Sequence, residues 1–187
     1  MFGEVNIEVQ DGNLGRNTST GSFVQVKIGA STSTSTVPVL VTNTMKPEEI
    51  KEKLGCTPLA DACIDATENG LKKLYAIPVK ADVDGTIGEV TKTGESKGTV
   101  TASGKPNNAY DVVVKITATG KVNTGSFAYS IDGGNNFSDE YTIPLGGTFE
   151  LPGTGITLTF ADSGEEEKSF MEEDAFSFSS TAPTLSN

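Results

Sequence analysis

The sequence contains no histidine and no tryptophan. Histidine is the side chain that titrates near neutral pH and the commonest metal ligand, so its absence excludes imidazole-based triads, two-histidine metal sites and histidine proton shuttles. A carboxylate pair for acid–base chemistry could be drawn from Asp139 and Glu140. Neighbouring residues on a strand point to opposite faces, however, so this pair cannot act on one bond. The sequence therefore predicts no catalytic residue and no enzyme.

Cysteine is also scarce, since Cys56 and Cys63 are the only two. They are too few for a disulfide framework, and they lack the spacing of metal ligands. We expect both to be reduced and to act as small hydrophobic side chains. No cofactor and no bound metal is predicted.

Basic residues are few relative to acidic ones, 14 against 25, which gives a net charge of −11. Such a chain repels a phosphate backbone, so nucleic acid is not an expected partner. The apolar run at residues 37–41 is far shorter than the roughly 20 residues of a membrane span. The first residues also lack a basic region followed by an apolar run. We therefore expect no membrane association, no secretory signal and synthesis in a cytoplasm.

Residues 4–10 alternate polar and apolar side chains, the period of a half-buried strand. Val5, Ile7 and Val9 share one face of this strand, and the turn signal at residues 11–12 follows it directly. The sequence thus predicts an N-terminal arm and turn over residues 1–21.

Residues 22–85 combine strand and helix patterns. A polar low-complexity run at residues 31–36 is predicted to be a loop, and the valine-rich run that follows it is typical of a strand covered on both faces. Proline at the first helical position and glycine after the last one favour two short helices. The predicted elements are strand 22–30, strand 37–41, helix 47–54, a helix from Pro58 with Thr57 as N-cap to Gly70, and strand 74–79. This order indicates an α/β unit.

From residue 86 the helix patterns stop and short β-rich runs alternate with turn residues. Seven strands are predicted, at 99–102, 110–118, 126–131, 140–143, 148–151, 156–160 and 176–179. That number over residues 86–181 is typical of an immunoglobulin-like sandwich. The same range holds six lysines and fourteen acidic residues, so it carries most of the negative charge. A domain of that charge suits solvent better than close packing against copies of itself.

Three polar segments have alternative interpretations. Residues 132–136 could hold a cation, but Asp and Gly at a reversal favour a hairpin turn. The acidic residues 165–167 and 172–174 could bind calcium, but charge runs are usually solvated. Gly12, Gly15 and Gly21 lack the Gly-Lys-Ser/Thr sequence of a phosphate loop and indicate chain reversal instead.

Several segments, in order, resemble phage tail sheath proteins. The runs NAYDVVVKIT at 108–117, FAYSIDGGNNFS at 127–138 and TIPL at 142–145 resemble the β-sandwich insertion of that family. The run DAFSFSSTAP at 174–183 is similar to the last strand of the insertion and the return to the sheath core. VQDGNLG at 9–15, LGCTPL at 54–59 and LYAIPV at 74–79 are similar to the start of these proteins.

The resemblance implies an α+β fold: an incomplete α/β sheath core unit (residues 22–85) followed by an all-β immunoglobulin-like sandwich (residues 86–181). Residues 182–187 would return toward a C-terminal core. It also implies a structural subunit of the contractile sheath of a phage or phage-tail-like particle, assembled in the host bacterial cytoplasm. The implied partners are other copies of the chain and the tail tube protein.

Within this family, terminal arms join the sheet of a neighbouring subunit. We therefore predict that Val5, Ile7 and Val9 form a subunit interface by strand addition. The alternative for this segment is an ordinary edge strand packed on its own chain. The alternative for the whole protein is a β-sandwich adhesin or carbohydrate-binding module, which would need an exposed aromatic platform.

Overall fold

The computed structural model describes residues 24–32, 37–164 and 168–185. Strands dominate this part of the chain. The strands are β1 (Gln25–Ser31), β2 (Val39–Thr42), β3 (Lys73–Lys80), β4 (Thr91–Thr93), β5 (Thr99–Gly104), β6 (Asp111–Ala118), β7 (Ser126–Ser130), β8 (Tyr141–Thr142), β9 (Thr148–Leu151), β10 (Ile156–Ala161) and β11 (Ala175–Ser179). The helices are α1 (Pro47–Leu54) and α2 (Pro58–Glu68).

Both helices begin at a proline, as predicted. In α1 the Glu49 side chain accepts a hydrogen bond from the Lys46 amide at 2.9 Å, which satisfies one amide at the helix start. Gly55, with a φ of 76°, ends this helix in a conformation that favours glycine. Thr57 occupies the N-cap position of α2, but its hydroxyl donates to the carbonyl oxygen of Leu54 at 3.2 Å instead of capping the helix.

The first sheet has the order β1-β3-β2, in which β1 is parallel and β2 antiparallel to β3. The two helices pack on one of its faces. Their shared core consists of Val41, Ile50, Leu54, Leu59, Ala60, Cys63, Leu74 and Ala76. The prediction that residues 37–41 form a strand covered on both faces is wrong, because β2 is an edge strand with Leu40 exposed. Cys56 and Cys63 are both free thiols, as predicted, and Cys63 is buried.

The remaining strands form two sheets, with the orders β5-β10-β9 and β4-β11-β6-β7-β8. All seven strands predicted in this range are present, with bounds that differ by a few residues. Strand β4 was not predicted. Both sheets contribute to one core, which contains Val100, Val112, Val114, Ile116, Phe127, Ile143, Leu151, Ile156, Leu158, Phe160, Phe170, Phe176 and Phe178.

The predicted fold class is wrong. We expected an α+β protein, with an incomplete α/β sheath core unit and a separate immunoglobulin-like sandwich. The described residues are 42% strand and 12% helix, with two helices, so the fold is β-rich. The physical reason is that α1 and α2 have only 8 and 11 residues and cover one face of a three-stranded sheet. They are too short and too few to build the helical layers of an α/β unit.

Polar contacts connect the helical region to the later strands. The Asn108 side-chain amide donates to an Asp61 carboxylate oxygen of α2 at 2.6 Å. Further along, the Thr86 amide donates to the Thr181 hydroxyl at 3.0 Å, and the Thr181 amide donates to the Thr86 carbonyl oxygen at 2.9 Å. Val83 forms a β-bridge with Thr184. The segments that enter and leave residues 86–181 therefore run side by side.

Candidate functional site

One face of the first sheet is packed against the helices. On this side a Cβ atom added to Gly29 of β1 would lie 3.3 Å from the Cβ atom of Leu59, so α2 lies close to the strand. The Ser31 hydroxyl donates to the carbonyl oxygen of Leu54 at 2.7 Å, which fixes the end of β1 to the end of α1. Strand alternation then directs the intervening side chains of β1 to the other face.

That other face, which we name the open face, carries the apolar side chains Val26, Ile28, Leu40 and Tyr75. The register places Val26 and Leu40 opposite Tyr75 on its two sides, so the side chains form one contiguous patch. Their exposed fractions are 49% for Val26, 66% for Ile28, 45% for Leu40 and 38% for Tyr75. A contiguous exposed apolar patch of this kind is typical of an interaction surface.

A groove runs beside the outer edge of β1. It is lined by Lys27, Ile28, Gly29, Ala30, Pro58, Leu59 and Ala62, and its volume is about 300 Å³. We name it the β1 groove. The described residues of its lining are largely apolar, with one lysine and no acidic residue. The open face and the β1 groove lie on either side of the edge of β1. This arrangement suits association with another protein segment rather than catalysis.

The predicted interface residues Val5, Ile7 and Val9 lie outside the described residues, as do Gly12, Gly15 and Gly21. The surface that the structure does describe gave a signal in the sequence. Residues 74–79 are apolar at both odd and even positions, which predicts apolar side chains on both faces of β3. Only one of those faces is covered by a helix within the described residues.

The segment at residues 132–136 is the hairpin between β7 and β8, as predicted. One Asp132 carboxylate oxygen accepts bonds from the Ser130 hydroxyl at 2.6 Å and the Asn136 amide at 2.9 Å, and the other accepts the Asn136 side-chain amide at 2.7 Å. These bonds, that from Ser130 foremost, lower the pKa of Asp132 to about 2. Its oxygens therefore hold the turn together.

The acidic residues near the end of the chain separate in space. Residues 165–167 lie outside the described residues. Glu173 pairs with Lys115 at 2.8 Å, whereas Asp174 is buried and accepts hydrogen bonds from Ser96. Within the described ranges, His, Cys, Asp and Glu side chains form no group of three or more that could hold a metal ion.

The tyrosines that a carbohydrate-binding platform would need pack against other aromatic rings. Tyr129 and Tyr141 stack with centroids 6.0 Å apart, and Tyr141 lies 5.0 Å from Phe149. The Tyr110 hydroxyl donates to the Asn107 side-chain oxygen at 2.6 Å. These rings are partly buried at the margin of the core and do not form a flat exposed surface.

No helix in the described ranges is long and apolar enough to cross a membrane. Neither a curated protein nor a solved structure matches the chain. The DUF2586 N-terminal domain family matches residues 2–146, which is more than half of the sequence. The chain therefore belongs to the DUF2586 family.

Proposed function

We propose that the chain is a structural subunit of the contractile tail sheath of a phage or phage-tail-like particle. The observation that carries this proposal is the open face. Val26, Leu40 and Tyr75 lie side by side on a sheet that, within the described residues, has helices on only one side. Exposed apolar patches of this kind mark interaction sites, and in a subunit that assembles a neighbouring copy would cover the patch. The ordered resemblance to tail sheath proteins indicates the kind of assembly.

The charge distribution supports contacts through the first sheet. Residues 24–80 contain seven lysines and six acidic residues, whereas residues 86–181 contain six lysines and fourteen acidic residues. Like charge opposes close approach of two acidic regions. Copies of the chain, and the tail tube protein inside the sheath, would therefore contact the nearly neutral region, and the acidic strands would face solvent.

In this role the protein forms rings around the tail tube in the virion, and contraction of the sheath drives the tube into a cell envelope. The arm residues Val5, Ile7 and Val9 would join the sheet of a neighbouring copy, where main-chain hydrogen bonds provide affinity. The function requires no cofactor and no covalent chemistry. The adhesin alternative is less well supported, because Tyr129 and Tyr141 pack against each other.

Electron microscopy of the complete gene product tests the proposal. Hollow cylinders with the diameter of contractile tails are expected. Removal of residues 1–10 should abolish the cylinders, although the shortened chain should still fold and unfold cooperatively. A product that stays monomeric at every concentration, or that forms only amorphous aggregates, would contradict a sheath function.

A further inference from the structure

Strand β1 has one partner among the described strands. Its residues 25–31 pair with β3, and the sheet order places no other described strand on its outer side. An edge of this length, with exposed Val26 and Ile28, is a template for pairing with another strand. The β1 groove lies directly beside it, between the strand and α2. The edge is therefore shaped to accept one more strand.

We propose that, in the unassembled protein, residues 4–10 of the same chain pair antiparallel with this edge. The register that we infer brings together three apolar pairs on the side of the open face: Val9 with Val24, Ile7 with Val26 and Val5 with Ile28. Opposed apolar side chains of an antiparallel pair lie about 5 Å apart and stabilise it. The pairing covers the most exposed apolar positions of the strand.

Charge supports the same register. Lys27 points to the opposite face of β1 and lines the β1 groove, where it is the only charged residue among the described residues of the lining. Asn6 would lie opposite Lys27, and Glu4 and Glu8 would flank it at the diagonal positions that long side chains reach. A shift of one residue would place the valines beside Lys27 and the glutamates beside Val26. One register thus satisfies both the apolar and the charged residues.

The length of the connection favours the same chain over a second copy. Thirteen residues, 11–23, link the two segments. They can extend to about 43 Å at roughly 3.3 Å per residue, whereas a tight hairpin needs only about two residues. A short connector gives an effective concentration of the order of millimolar. At micromolar protein the chain's own segment therefore outcompetes that of another molecule.

Other sheet edges fit this segment less well. Strand β5 is an edge of similar length, but it lies in the acidic range 86–181 and its sequence is mainly polar. Strand β2 is an edge of four residues. Residues 4–10 contain two glutamates and no basic residue, so their charge is better matched by the region that holds Lys27.

The inference deepens the proposed function and rests on it in one respect. If copies assemble into a sheath, residues 4–10 leave their own β1 and join a neighbour, which is an exchange of identical elements between protomers. Until then, the intramolecular pairing protects the edge from uncontrolled association.

A designed disulfide tests the pairing and its register. We would make Ile7→Cys with Val26→Cys in a Cys56→Ser background, leaving the buried Cys63 in place, and oxidise the dilute 187-residue chain. An intramolecular disulfide in most molecules, with a yield independent of protein concentration, is expected. The matched control pairs Ile7→Cys with Gln25→Cys, whose side chains point to opposite faces, and should give less than a tenth of that yield. Equal yields from the two pairs, or a disulfide-linked dimer as the main product, would overturn the inference.

Hydrogen exchange provides a measurement without new cysteines. Removal of residues 1–10 should speed amide exchange in β1 at least tenfold and leave exchange in β6 unchanged. Unchanged exchange in β1 overturns the pairing. The two proposals fail separately: an intramolecular disulfide without cylinders contradicts the sheath function, and cylinders without the disulfide contradict the intramolecular pairing.

Discussion

Asp174 accepts hydrogen bonds from both the backbone amide and the hydroxyl of Ser96, a residue 78 positions earlier in the chain. The same hydroxyl accepts a hydrogen bond from the Met171 amide at 2.8 Å. The Lys92 ammonium donates a hydrogen bond to the Ser96 carbonyl oxygen. This buried network holds the turn after β4 against the segment that precedes β11. The network thereby fixes β4, an edge strand of the five-stranded sheet, next to β11.

Loss of the Asp174 carboxylate should destabilise the fold. In Asp174→Ala the Ser96 amide and hydroxyl lose their acceptor, and each buried donor without a partner costs about 1–3 kcal/mol. We expect the free energy of unfolding, measured in urea, to fall by about 2–4 kcal/mol. Glu172→Ala removes the same charge from an exposed neighbour and should change it by less than about 0.5 kcal/mol. Equal effects of the two substitutions would contradict a role for the network.

The contribution of Asp174 should also depend on pH. Burial opposes its ionisation, but the hydrogen bonds from Ser96 and Glu95 and the nearby Lys92 outweigh burial and lower its pKa. The unfolded chain, with an aspartate pKa of about 3.9, then binds more protons than the folded chain at low pH. The stabilisation is complete above about pH 5 and is lost as the pH falls through the lower, folded pKa. The stability difference between the parent and Asp174→Asn should therefore shrink from pH 7 to pH 3, and a growing difference would contradict this sign.

Gly94 lies against the same carboxylate. It has a φ of 111°, and a Cβ atom at this position would lie 1.8 Å from an Asp174 carboxylate oxygen. Gly94→Ala should therefore displace Asp174 from Ser96. The control is Gly70→Ala, since Gly70 has a φ of 95° with no atom within 4 Å of an added Cβ. The control should cost about 1–2 kcal/mol for its backbone conformation alone, and Gly94→Ala about 2 kcal/mol more. If Gly94→Ala and Gly70→Ala lower the free energy of unfolding in urea by similar amounts, the Asp174 carboxylate tolerates displacement.

Local patterns predicted the elements that local chemistry determines. Proline and glycine marked the bounds of α1 and α2, and Asp132 with Gly133 marked the β7–β8 turn. Strand β4 escaped prediction because its three residues are all exposed and carry no apolar period. It exists because it pairs with β11, more than eighty residues later. No local signal encodes such a pairing.

The prediction for β2 failed for a related reason. A short apolar run is compatible with a strand buried on both faces or with an edge strand beside an uncovered face, and periodicity cannot distinguish them. The sequence contains a signal of the open face, because β3 has apolar residues at both odd and even positions. What lies against a strand face is a long-range contact that a local pattern does not specify, so the sequence shows the apolar residues but not their environment.

Substitutions on the open face should separate assembly from folding. Tyr75 lies between Val26 and Leu40, so Leu40→Ser with Tyr75→Ser removes the centre of the patch. Because both side chains are partly exposed, we expect the free energy of unfolding to change by less than about 1 kcal/mol. Cylinders seen by electron microscopy should be lost. Leu145→Ser is the control, since Leu145 is 78% exposed in the turn after β8. Cylinders that survive the double substitution would exclude the open face as an assembly contact.

Residues 86–181 should fold without the rest of the chain. All thirteen residues of the larger core lie within this range, and its 96 residues exceed the roughly 40 below which domains usually need disulfides or metals. The excised range should unfold cooperatively, with slowly exchanging amides in β6. Phe127→Ala provides the internal check, because Phe127 is fully buried and truncation of such a side chain costs about 3–5 kcal/mol. We expect this loss in both the excised range and the whole chain, since the ring contacts Tyr141, Phe149 and Phe160, which all lie inside the range. An excised range without protected amides in β6 would show that its strands depend on the first sheet and α2, through contacts such as the bond between Asn108 and Asp61.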